Sequence, residues 1–64
     1  MTHDDIREHA AALLRQYGDA AGLQAAMQAC EALERLDLDQ HRIWLSVLRT
    51  IAVIDRIYAQ QMVQ

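Results

Sequence analysis

The chain has 64 residues, 53% of them hydrophobic, with a net charge of −3 and a single cysteine. A chain this short is one small domain, buries only about 60% of its unfolded surface, and cannot close an intrachain disulfide. Its acidity argues against non-specific nucleic-acid binding and against anionic membranes, and its apolar content excludes intrinsic disorder.

The apolar residues are mostly Ala, Leu and Ile, and there is no proline and only two glycines. That composition favours helix over sheet. Helix 1 is expected from His3 to about Tyr17. Thr2 is placed to cap it, Met1 and Ile6 stand at the staple positions, and Asp4, Asp5 and Glu8 suit the helix dipole. Ile6, Ala10, Leu13, Leu14 and Tyr17 make a narrow apolar stripe, and Gly18 is placed to end the helix in the left-handed conformation.

Asp19 is expected to cap helix 2, which would run from Ala20 to about Leu36. A link this short makes helices 1 and 2 antiparallel neighbours. Helix 2 has two apolar edges. Leu23, Met27, Cys30 and Leu33 line one, and Ala21, Ala25, Ala29 and Ala32 with Leu36 line the other. A helix apolar over most of its circumference lies between two neighbours. Cys30 has no basic residue three or four positions away, so it reads as a small buried hydrophobe rather than a nucleophile.

Asp39 is expected to cap helix 3, with Leu38 and Ile43 as its staple, and the helix should run from Gln40 to about Met62. Ile43, Trp44, Val47, Leu48, Ile51, Ile54, Tyr58 and Met62 share one helical stripe, while Leu45, Val53, Ile57 and Val63 lie off it. That is more apolar surface than so short a chain can cover by itself. At 1.5 Å per residue the helix would be about 35 Å long, against about 23–26 Å for the other two, so its last turns should overhang them. Ile43, Val47, Ile51 and Ile54 are expected to face helices 1 and 2. Trp44, Leu45, Leu48, Val53, Ile57, Tyr58 and Met62 are the candidates for an interface with a second chain.

Two stretches carry a resemblance. Tyr17-Gly18-Asp19-Ala20-Ala21 opens helix 2, and Asp37-Leu38-Asp39 followed by Trp44, Val47 and Leu48 opens helix 3. Together they resemble a class of small bacterial helical proteins of unknown function. Those have a Tyr-Gly-x-Ala turn, an Ala-rich second helix and a Trp-x-x-Val third helix. The resemblance spans roughly Ala10 to Ile54 and implies a helical fold without any catalytic residue. The pattern usually has a glycine in the second turn, which Asp37 to Gln40 here does not supply.

Few residues suggest chemistry. Asp5 and His9 stand four apart, but a single such pair is a poor metal site and reads as an exposed ion pair. Arg42, Arg49 and Arg56 recur every seven residues and form a stripe about 10 Å apart that suits an anionic partner or a solvated face. Three aromatics make no stacking platform for nucleic acid. Catalysis needs acid, base or nucleophile groups converging in a pocket, and no such cluster is visible, so the chain is expected not to be an enzyme and to hold no cofactor or metal.

The expectation is therefore an all-α, three-helix up-down-up hairpin occupying residues 1–64 as a single domain and dimerising through its long C-terminal helix. Its function would be protein–protein interaction, with itself or another protein, as a small adaptor or an occluding inhibitor of the anti-CRISPR kind. The alternative is a nucleic-acid-binding regulator using Arg42, Arg49 and Arg56, and a third reading is a structural subunit of a larger complex. The lone thiol suits a cytoplasmic location, the N-terminus has no basic-then-apolar leader pattern, and Arg49, Asp55 and Arg56 interrupt the only long apolar run, which argues against a membrane span.

Overall fold

A computed structural model describes the backbone of residues 3–62 and the side chains of residues 4–58 and Gln60. The expected staple residue Met1 and cap Thr2, the apolar Val63 and the side chain of Met62 lie outside the described residues. Among the described residues there is no strand, and only Arg35, Leu36 and Asp37 are outside helix. The class is all-α.

The expected three helices parted by two loops are instead two unbroken helical runs. The first contains α1 (His3–Tyr17) and α2 (Ala21–Glu34), joined without a break by a 3-10 turn at Gly18–Ala20. The second is α3 (Leu38–Met62). Gly18 has φ +57°, the left-handed value expected of it, and this turns the chain while hydrogen bonding continues through the Ala21 amide to the Gly18 carbonyl. Asp19 does not cap α2: it lies inside the 3-10 turn, and the cap position falls to Ala20, which offers no side-chain acceptor.

The second corner also differs from expectation. α2 stops at Glu34 rather than Leu36 because Leu36 takes φ +60°. The Leu36 amide then bonds the Leu33 carbonyl at 2.9 Å and the Asp37 amide bonds the Ala32 carbonyl at 2.9 Å. This is the paired closure of a Schellman motif, with leucine where glycine is usual. α3 starts two residues earlier than Gln40, and its cap is Asp37 rather than Asp39. The Asp37 carboxylate accepts from the Gln40 amide at 3.2 Å, and its carbonyl from the His41 amide at 3.0 Å.

α3 is the spine. α2 packs on it most extensively, α1 less so, and α1 and α2 touch each other least. The pairings give the directions. Gly22 lies by Leu48 and Ala29 by His41, so α2 runs against α3. Ile6 lies by Ser46 and Thr50, and Leu14 by Ile54 and Tyr58, so α1 runs with α3. The core joins Ala10, Ala21, Ala25, Val47 and Ile51, with Ile6, Leu13, Leu14, Trp44, Leu48 and Ile54 packed around it. Ala21, Ala25, Ala29 and Ala32 are all 3% exposed or less. Of the two apolar edges of α2, the small one faces inward, which lets its backbone approach α3 closely.

Candidate interaction surface

Choosing the alanine edge for the core sends the other edge of α2 outward. Leu23 is 62% exposed, and Met27, Cys30 and Leu33 are exposed with it. Cys30 is thus not the buried hydrophobe the spacing suggested, because it stands nearly opposite Ala25 on the helical wheel. The two neighbours expected for α2 are α1 and α3, and both meet its alanine side. Among the described residues Leu23, Met27, Cys30 and Leu33 on its outward side stay exposed.

On α3, Val47 and Ile51 are buried, and Ile43 and Ile54 are half-buried toward the other helices. Trp44 and Leu48, named above as candidates for a partner, are half-buried against this chain's own core. They flank Val47 and Ile51 at helical spacing, so they close the intramolecular packing. The Trp44 ring also meets His9 of α1, with centroids 6.0 Å apart and planes tilted by 59°. Leu45, Val53, Ile57 and Tyr58 remain exposed.

These four do not form one patch. Val53 joins Ile6 in a groove of 340 Å³ between α1 and α3, whose walls include Arg7, Ser46, Arg49 and Thr50. The Ser46 and Thr50 hydroxyls turn back and donate to the Arg42 and Ser46 carbonyls at 3.2 and 2.9 Å, so the groove wall they form is less polar than the sequence implies. Tyr58 borders a second groove on the opposite flank of α1, with Ala11, Leu14, Arg15, Ile54 and Asp55. Leu45 lines neither groove, and neither groove reaches the seam between α3 and α2.

His41 marks that seam. Its Nδ1–H donates to the Ala29 carbonyl at 2.8 Å, fastening the first turns of α3 to the middle of α2. Sequence spacing had no means of finding this bond, since the acceptor is a backbone carbonyl twelve residues away. Leu23, Cys30 and Leu33 of α2 and Leu38 and Leu45 of α3 are all exposed, and helical spacing places each of them off the buried face of its own helix. Sequence reasoning placed only Leu45 in an interface. The α2 residues were legible as an apolar edge but not as an outward one.

Arg42, Arg49 and Arg56 are all exposed on α3. No three His, Cys, Asp or Glu side chains among the described residues converge on a common point that a metal would occupy. No helix of the described residues is long and apolar enough to cross a membrane. No protein-family model, characterised protein or solved structure matches the chain.

Proposed function

We propose that the function of this all-helical chain is protein–protein association. The chain acts first with a second copy of itself and, through what that dimer leaves exposed, as an adaptor or occluding inhibitor. One observation carries the reading. Among the described residues the fully buried side chains are five alanines, one valine and one isoleucine, while ten large hydrophobic side chains remain exposed. A core of that kind is marginal for a free-standing chain of this size, and association is a usual remedy.

The test is the solution mass by light scattering over a wide range of protein concentration. The expected result is twice the 7.3 kDa chain mass, falling toward one chain only on strong dilution. A single chain at every concentration would overturn self-association and move the exposed leucines to a different partner.

The nucleic-acid reading has one observation in its favour: Arg7 of α1 joins Arg49 at the α1–α3 groove, adding to the α3 stripe. It demands binding that weakens steeply with salt. If a labelled duplex and a labelled single strand both fail to bind at low salt, that reading is removed.

A further inference from the structure

We infer that the second copy seats on the α2–α3 face opposite α1, with α2 of each chain lying on α3 of the other about a two-fold axis parallel to the helices. This rests on the self-association proposed above and specifies where and how it occurs. Three observations lead there.

The first is area. The chain exposes 5049 Å², whereas a folded monomer of 7.3 kDa would expose about 4,150 Å². The excess of about 900 Å² belongs to the whole elongated chain, and it is as large as the roughly 800 Å² that each partner buries in a standard interface.

The second is the distribution of apolar groups. α1 covers one side of the α2–α3 hairpin, and the other side presents Leu23, Cys30, Leu33, Leu38 and Leu45, each exposed. Two such hairpins face to face make a four-helix core, with α1 of each chain outside it. The outward apolar edge of α2 is then covered as well.

The third is charge, and it selects the symmetry. Asp19, in the turn before α2, and Glu34, the last residue of α2, are both acidic and about 23 Å apart along the chain. Arg42 and Arg56 stand along α3, about 21 Å apart. All four are exposed. Because α2 runs against α3, laying α2 on the partner's α3 brings Glu34 toward the Arg42 end and Asp19 toward the Arg56 end. The other two-fold arrangement sets α3 on α3 and brings the two arginine stripes together, which like-charge repulsion disfavours.

The experiment measures dimer dissociation by sedimentation equilibrium on the full chain, with helicity by circular dichroism as a check on folding. Leu33→Glu and Leu45→Glu are each expected to weaken the dimer at least a hundredfold, while Val53→Glu, on the α1 side, leaves it within about threefold. Arg42→Glu should weaken it about tenfold, since the pair occurs twice per dimer and each repulsion adds to the loss. Adding Glu34→Arg to Arg42→Glu should restore most of it. A dimer insensitive to Leu33→Glu and Leu45→Glu but broken by Val53→Glu would overturn this face while leaving self-association standing. Failure of Glu34→Arg to rescue would overturn the symmetry. A wild-type monomer would overturn the face together with the reading it rests on.

Discussion

Leu36 sits at φ +60° with 81% of its surface exposed. A left-handed backbone costs a residue with a Cβ about 1–2 kcal/mol, and this side chain recovers little of it by burial. The conformation persists because the Leu36 and Asp37 amides close the end of α2 on Leu33 and Ala32, and only a left-handed residue lets the chain do this. Leu36→Gly removes the strain at the cost of a more flexible unfolded chain. The net expectation is about 0.5–1 kcal/mol of added stability, visible as a higher urea midpoint with an unchanged slope. A lower midpoint would mean that the exposed leucine makes a stabilising contact in solution. A residue poorly suited to the left-handed geometry thus ends α2, held by the backbone bonds on either side of it.

The elements rest on few specific positions, and the two glycines of the first run show how different those are. Gly18 has φ +57°, and a Cβ there would meet nothing within 4 Å. Gly18→Ala therefore isolates the backbone strain and should destabilise by about 1 kcal/mol. Gly22 lies in the first turn of α2, where a Cβ would meet the Leu48 Cδ1 at 3.7 Å, an ordinary contact. Gly22→Ala should stabilise by roughly 0.5–1 kcal/mol through helix propensity. Thermal unfolding of the two variants side by side checks both signs. If both shifted the same way, the left-handed 3-10 corner between α1 and α2 would not be the solution conformation. At this scale the sequence was readable for what it shares with any helix: apolar spacing, and a glycine at the first corner. The caps were misplaced by short distances. Asp37 and Asp39 are both competent caps of α3, and the choice between them followed from where Leu36 turned, whereas Asp19 was taken up into the 3-10 turn before α2.

The molecule as a whole is long for its size. It measures 45 × 22 × 17 Å, with a radius of gyration of 12.3 Å, against about 10.7 Å for a compact domain of this length. The elongation follows α3, whose 25 residues outrun α1 and α2. If association completes the core, folding and dimerisation are coupled, and the melting temperature must rise with protein concentration. We expect a rise of several degrees over a hundredfold increase, measured by circular dichroism from micromolar upward. A melting temperature independent of concentration would mean that the alanine, valine and isoleucine core holds the single chain unaided.

The sequence by itself determined that the chain is helical, which residues share a helix face, and that its apolar surface exceeds what its own helices cover. Those follow from local periodicity and composition. Tertiary structure decided which of the two apolar edges of α2 turns inward. Periodicity assigns Leu23, Met27, Cys30 and Leu33 to one edge and Ala21, Ala25, Ala29 and Ala32 to the other, but not the inner side. The alanine edge faces the core, where its small side chains let α2 approach close enough for His41 to reach the Ala29 carbonyl. That choice depends on the distance between helices far apart in sequence, and it left the larger side chains of α2 on the surface.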